Sequence, residues 1–229
     1  MKTIGLLGGM SWESTSLYYR QMNQLVQQQL GGLHSAQIVM ISVDFAQISQ
    51  WQQQGDWQQA GRYLAEQAQY LQRAGADCIV LCTNTMHKVA DEIVAAIDIP
   101  FIHIADATAQ VIHKQEISKV GLLGTAFTMQ QDFYTGRLKQ QGIEVMVPDL
   151  AAQEIVHQVI FNELCKGQIR AESKQQYIEI VESLIRDGAQ GIIFGCTEIC
   201  MLIGDVQFSV PVFDTTTIHA QAAVEFALA

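Results

Sequence analysis

The chain is short of positive charge: 13 Lys and Arg stand against 23 Asp and Glu in 229 residues, a formal net charge of −10. That balance argues against nucleic acid and against anionic membrane as partners, because both are held by clustered cations. A small acidic substrate stays open, since the local field of a pocket can oppose the global one. No apolar run is long enough to span a bilayer. No C-x-x-C pair occurs, and no His/Cys/Asp spacing reads as a metal site, so no metal is expected. The five cysteines are odd in number and lie mostly on apolar stretches, which suits a reducing cytoplasm better than a disulfide framework. Walker A is absent, and Gly5-x-x-Gly8-Gly9 is not G-x-G-x-x-G, so a nucleotide site has little support.

What is present is a large apolar fraction, 49%, enough for one large or two small domains with a real core. Strand and helix signals alternate along the chain. Thr3 to Leu7 reads as a buried first strand rather than a signal peptide. A helix is expected from Trp12 to about Leu30, with Ser11 as N-cap and Gly31-Gly32 as the stop. Gln37 to Val43 reads as a strand ending in Asp44. Gln47 to Gly55 is polar and reads as a loop or a loose helical turn. Asp56 to Ala74 is helical by period, with Leu64, Ala68 and Leu71 on one face. Cys78 to Cys82 is a strand, His87 to Ala96 a helix, and Pro100 to Ile104 a short strand. Such alternation predicts βαβ units and a mostly parallel sheet.

The second half repeats the first. Gly75-Ala76-Asp77-Cys78-Ile79-Val80-Leu81-Cys82-Thr83-Asn84-Thr85 aligns without a gap to Gly188-Ala189-Gln190-Gly191-Ile192-Ile193-Phe194-Gly195-Cys196-Thr197-Glu198, at a constant offset of 113 residues. Thr3 to Gly9 is echoed by Lys119 to Thr125, and Tyr18 by Tyr134, at an offset of 116. Ile38 to Asp44 is echoed by Ile143 to Asp149. Helices are expected over 151–165, 171–187 and 218–228, with a last strand at 211–214. The expected fold is α/β: two similar Rossmann-like lobes, each a mostly parallel four-stranded sheet flanked by helices. They are related by a pseudo-two-fold, with an active site between them. Residues 1–104 plus 213–229 form the first lobe and 105–212 the second.

The repeat selects two positions. Cys196 follows a strand that ends at Gly195, the edge where α/β folds bind ligands. Its equivalent is Thr83, not Cys82. Successive strand residues point to opposite faces, so Cys82 is read as packing. One group on each side of a bound molecule suits stereochemical inversion: one removes a proton from carbon, and the other delivers one to the opposite face. A short helical signal follows Cys196, and a helix N-terminus is expected to lower its thiol pKa. Asn84, Thr85, Thr197 and Glu198 flank the two positions as candidate substrate contacts. His87 and Lys88 fall in a first helical turn nearby. Cys78 and Cys200 read as packing; His34, His103, His113 and His157 as surface or packing; Asp44, Asp149 and Asp214 as turn caps. His219 either orients the last helix or touches the cleft.

Together, the matched halves, Gly-Gly-Met at 8–10, Cys-Thr-Asn-Thr-Met-His-Lys at 82–88 and Gly-Cys-Thr-Glu at 195–198 resemble the aspartate/glutamate racemase family over the whole chain. The resemblance implies two α/β domains, no cofactor, a likeness to homodimers, and proton transfer at the α-carbon of a small amino-acid substrate. It places Met10, Ser11 and Gln52 near substrate. Relatives typically carry cysteine in both halves, whereas this chain has Thr83 in one. Relatives acting on acidic substrates commonly carry a cation for the distal carboxylate. Here Gln52 is neutral and Cys165 stands where a lysine is often found, so aspartate, glutamate or a broader set of amino acids is expected. Alternatives are a decarboxylase, hydantoin racemase or cis–trans isomerase of the same fold using Cys196, or a two-lobed protein that binds amino acids without turnover.

Overall fold

The structure is a computed structural model describing all of residues 1–229. Its contacts divide the chain into two compact units, Met1–Ile104 with His219–Ala229, and Ala105–Ile218.

The first unit carries β1 (Ile4–Gly8), α1 (Trp12–Leu30), β2 (Ile38–Ser42), α2 (Phe45–Gln54), α3 (Trp57–Arg73), β3 (Cys78–Leu81), a 3₁₀ turn (Thr85–Val89), α4 (Ala90–Val94) and β4 (Phe101–Ile102). All four strands are parallel, in the order β2-β1-β3-β4. The central strands β1 and β3 are buried at every residue. Helices cover both faces of a parallel sheet, so its inner strands read as continuous apolar runs rather than alternating ones. Ile79 and Leu81 enter one core cluster, with Leu64, Ala68 and Leu71 of α3. Cys78, Val80 and Cys82 enter the other, with Tyr18, Met22 and Val26 of α1. Burying each large aliphatic side chain contributes about 1.5–3 kcal/mol.

After β4 come α5 (Ile104–Lys114), β5 (Lys119–Gly124), α6 (Ala126–Gln130), α7 (Asp132–Gln140), β6 (Glu144–Met146), α8 (Leu150–Asn162), a 3₁₀ turn (Leu164–Lys166), α9 (Ala171–Arg186), β7 (Ile192–Gly195), α10 (Ile199–Ile203), β8 (Val212–Asp214) and α11 (Thr215–Leu228). The second sheet is again parallel, in the order β6-β5-β7-β8. Its connectivity matches the first strand for strand. Gly5 pairs with Ile79 and Gly121 with Ile192, so the two offsets of the sequence repeat meet in one register.

α1 has the expected bounds, with the Ser11 hydroxyl accepting from the Ser14 N–H and Gly31 as C-cap. Elsewhere the structure departs from the expectations. Of the two readings of 47–55, the loop is overturned and the helical one holds, as a full helix rather than a loose turn. The segment belongs to α2, capped by Asp44, whose carboxylate accepts from the Ala46 N–H, and ended by Gly55 in the left-handed region. Ile48 and Gln52, four residues apart, are its buried face. The helix expected at 87–96 opens as the 3₁₀ turn. Helices α5, α6 and α7 have no counterpart in the expected element list. The second strands are equivalent at Val39 and Met146, which pair with Gly5 and Gly121, two residues away from the register that Asp44 and Asp149 suggest. Those two aspartates are N-caps, and their distance from the strand differs between the halves. β8 pairs with β7, and the chain joins the first unit only from His219. No helix is long and apolar enough to cross a membrane.

Candidate active site

Each candidate residue follows from where its strand stops. In the first unit the last ladder bond near the end of β3 is the Cys82 N–H to the Leu7 carbonyl, at 2.9 Å. Cys82 is fully buried, its thiol lies 3.7 Å from the Val80 carbonyl, and burial holds its pKa well above the ordinary range. Thr83 is the next residue and is half-buried. Its N–H donates to the Leu81 carbonyl at 2.8 Å, and its own carbonyl lies 2.8 Å from Nδ1 of His87. Asn84 and Thr85 are buried and lead into the 3₁₀ turn.

Other first-unit candidates converge on this strand end. The Ser14 hydroxyl, one turn inside α1, donates to the Cys82 carbonyl at 3.0 Å. Ser11 caps that helix, after a cis Met10–Ser11 peptide. Met10 packs in the cluster that holds Ile48, Leu81 and Met86. Gln52, on α2, is buried, and its Nε2 donates to the Met86 sulfur at 3.0 Å.

In the second unit Cys196 is the first residue beyond β7, whereas Thr83 is the second beyond β3, after Cys82. It is half-buried. Its Sγ–H donates to Oε2 of Glu198 at 3.0 Å. Glu198 is 4% exposed, so this thiol–carboxylate pair is largely withdrawn from water. Thr197 accepts at 3.1 Å from the hydroxyl of Thr216, near the start of α11. The expected lowering of the Cys196 pKa is contradicted. The backbone N–H of Glu198 does pull it down, but burial raises it more, followed by the Glu198 carboxylate and then the Cys165 thiol. A five-residue α10 has little macrodipole to offset these. Cys196 therefore favours its neutral thiol, hydrogen-bonded to the Glu198 side chain.

The candidates divide between the units: Met10, Ser11, Gln52, Thr83, Asn84 and Thr85 in the first, and Cys196, Thr197 and Glu198 in the second. Three further residues stand beside the candidates; the sequence reading named Cys165 and His219 without a settled role and missed Tyr177. Cys165, on the 3₁₀ turn at 164–166, is pushed up to about 12 by burial and then by the Glu198 carboxylate, and its thiol in turn raises the pKa of Cys196. Tyr177 is fully buried and feels the same thiols and carboxylates. His219, fully buried, lies between the Tyr18 hydroxyl at 2.9 Å and the Ile102 carbonyl at 2.6 Å. No group of three or more His, Cys, Asp or Glu side chains is arranged to hold a metal ion.

Known proteins share this arrangement of sequence and fold. The family described as Asp/Glu/Hydantoin racemase matches residues 7–223. The broad-specificity amino-acid racemase RacX of Bacillus subtilis (strain 168) is 26% identical over 227 residues, spanning 99% of this chain and 98% of that protein. A crystal structure from Yersinia pestis, described as a candidate Asp/Glu racemase, is 56% identical with a TM-score of 0.94, over 100% of both chains. An aspartate racemase homologue from Pyrococcus horikoshii OT3 is 34% identical with a TM-score of 0.86, also over 100% of both. The protein is thus an isomerase, of the amino-acid racemase class. The chain belongs to the Asp/Glu/hydantoin racemase family.

Proposed function

We propose that the protein interconverts L- and D-amino acids without a cofactor, by two-base proton transfer at the α-carbon between Cys196 and Thr83. The observation that carries this reading is the Cys196 thiol donating to the buried Glu198 carboxylate at a strand's C-terminal end. A thiol needs an acceptor before it can act as a base, and Glu198 is one at hydrogen-bond distance. The S–H proton passes to Glu198, and the thiolate takes the α-proton. The Thr83 hydroxyl then gives its proton to the opposite face of the carbanion while solvent water gives one to its oxygen, and Glu198 releases the thiol's proton to solvent, so both groups return to their starting state. A thiolate in a desolvated site is a stronger base once formed, because its conjugate acid is weaker. A substrate ammonium beside it would favour the charged form while bound.

The two groups are chemically unequal. A thiol ordinarily titrates near ~8.5, and bulk water, a guide to an aliphatic hydroxyl, near ~15.7. The gap of about 7 units is about 10 kcal/mol at about 1.36 kcal/mol per unit. That gap is the cost of a free Thr83 alkoxide, so Thr83 delivers its proton only as water gives one to its oxygen; Cys196 is the better base, and chemistry is faster from the enantiomer whose α-hydrogen faces Cys196. Enantiomers have equal free energy, so kcat/KM for the two directions must still balance.

Asn84, Thr85, Thr197 and Glu198 flank the reacting positions, and backbone N–H groups there suit an α-carboxylate. Met10, Ser11 and Gln52 complete the proposed pocket. The broad-specificity relative and the aspartate racemase homologue support an amino-acid substrate, aspartate and glutamate included. Five free cysteines favour a reducing cytoplasm, and exposed Trp12 and Tyr19, seven residues apart on α1, favour a homodimer. The test is a panel of single-enantiomer amino acids, incubated with protein stripped by chelator and by a carbonyl-trapping reagent, and read by chiral chromatography. Racemisation by the wild type, lost in Cys196→Ser, is expected. No inversion of any amino acid would overturn the reading.

A further inference from the structure

Thr83 lies outside the sheet, and its hydroxyl must still be held in place to deliver a proton. The structure shows what holds its backbone. The His87 ring, 2% exposed, lies with Nδ1 at 2.8 Å from the Thr83 carbonyl and Nε2 at 3.2 Å from the Ile104 nitrogen. A backbone N–H can only donate, so Nε2 carries the lone pair. The ring proton is then on Nδ1 and donates to the Thr83 carbonyl. Both ring nitrogens are committed, and the tautomer is fixed by the main chain of a distant segment.

The ring itself is wedged. His103 packs against it at 4.6 Å between centroids, Phe101 at 5.5 Å and His219 at 5.7 Å, all edge-on. His219 is anchored in turn by Tyr18 and by the Ile102 carbonyl. Segments from α1, β4 and α11 thus fix one imidazole, and that imidazole fixes one carbonyl. A trans peptide is planar, with its N–H opposite its C=O. Holding the Thr83 carbonyl toward His87 therefore turns the Asn84 N–H the other way, and sets the Thr83 Cα–Cβ direction with it.

We infer that His87, as its Nδ1–H tautomer, is a positioning residue that orients the Thr83–Asn84 peptide and through it the Thr83 hydroxyl for proton delivery. The inference rests on the reading of Thr83 as the second-face proton donor. It separates two outcomes that a structural role would not. When Thr83 is displaced, Cys196 still removes the α-proton, but the carbanion recaptures a proton from the side it left. Deuterium from solvent then appears in the unchanged enantiomer, while inversion falls.

The experiment compares wild type, His87→Phe and His87→Asn in D₂O, starting from the enantiomer that exchanges by way of Cys196. Phe keeps the ring volume without a donor, and the Asn amide offers a donor near the Nδ1 position. In His87→Phe, inversion is expected to drop about 100-fold, the scale of a misplacement of about 1 Å, while deuterium now appears in the starting enantiomer, which the wild type scarcely labels. His87→Asn should recover most of the inversion. The ¹⁵N shifts of His87 in the wild type should show Nδ1 protonated and Nε2 bare, whether or not substrate is present. Parallel loss of exchange and inversion in His87→Phe, or a protonated Nε2, would overturn the inference alone. A wild type that exchanges no amino acid would sink the racemase reading, and this inference with it.

Discussion

Replacing Glu198 with Gln separates two consequences of one hydrogen bond. Glu198 accepts from the Cys196 thiol at 3.0 Å and is 4% exposed. Its carboxylate raises the thiol pKa by opposing a second negative charge beside it. Gln keeps the shape, removes the charge and adds an N–H that can donate to a thiolate. The Cys196 pKa should therefore fall, and alkylation of the Cys196 peptide at neutral pH should speed up. The same change removes the acceptor for the thiol proton. Loss of a general base of this kind lowers rates by about 10²–10⁴, which is about 3–5 kcal/mol of barrier. So thiol reactivity should rise while α-proton exchange falls. Peptide-resolved alkylation against pH, beside exchange kinetics, reads both. A variant with a more reactive thiol and activity at or above wild type would refute the reasoning, because Glu198 would then only suppress the thiol.

Other consequences are equally open to measurement. Thr83→Ala should abolish inversion while the enantiomer facing Cys196 still exchanges its α-hydrogen, a ratio read by chiral separation and mass spectrometry; complete loss of exchange would contradict the division of roles. His219 is fully buried, and burial lowers its pKa to about 4, against an ordinary value near ~6.5. The folded state then binds fewer protons than the unfolded one between those values, so stability is full above pH ~6.5 and falls by about 3 kcal/mol as pH drops toward ~4. Urea unfolding of His219→Gln across that window should show a correspondingly flatter dependence than wild type, and an unchanged slope would refute the assignment. Gly5→Ala should destabilise more than Gly121→Ala, although the two are repeat equivalents. A Cβ at Gly5 meets the Cys78 carbonyl and the Ala76 Cβ at 2.8 Å, whereas one at Gly121 meets the tips of Ile192 and Leu184 at 2.8 and 3.0 Å and the Leu184 Cβ only at 3.2 Å. Overpacking costs about 1–3 kcal/mol, and thermal unfolding in the opposite order would overturn this account.

The central strands were legible because both their faces are buried, which leaves an apolar run that hardly alternates. α1 was legible from its caps, Ser11 and Gly31. α2 was not, because most of its surface is glutamine and its buried face rests on little more than Ile48 and Gln52. The edge strands are short and half-exposed, so their exact register carries a weak signal, and the Asp44–Asp149 echo tracks helix caps rather than strand pairing. The repeat singled out Thr83 and Cys196 because it preserves register, and the alternation of Cys78, Val80 and Cys82 into one cluster agrees with reading Cys82 as packing. The direction of the Cys196 pKa was misread. A helix start is visible in sequence, but the burial and the carboxylate geometry that outweigh it are not. His87 joins Thr83 four residues back, a spacing that sequence can suggest. Its bond to Ile104 is seventeen residues away and needs the fold.

The most direct test of the two-base account is the position of the label at early times in D₂O. Wild-type protein is given one pure enantiomer, and both enantiomers are recovered after a small fraction has turned over. With two separate groups on the two faces, the proton that leaves and the one that arrives differ. Deuterium should then appear in the newly formed enantiomer and scarcely in the recovered starting one, from either direction. Equal labelling of both at the earliest times, or inversion that carries the original hydrogen into the product, would mean one group serves both faces and would contradict the pairing of Cys196 with Thr83.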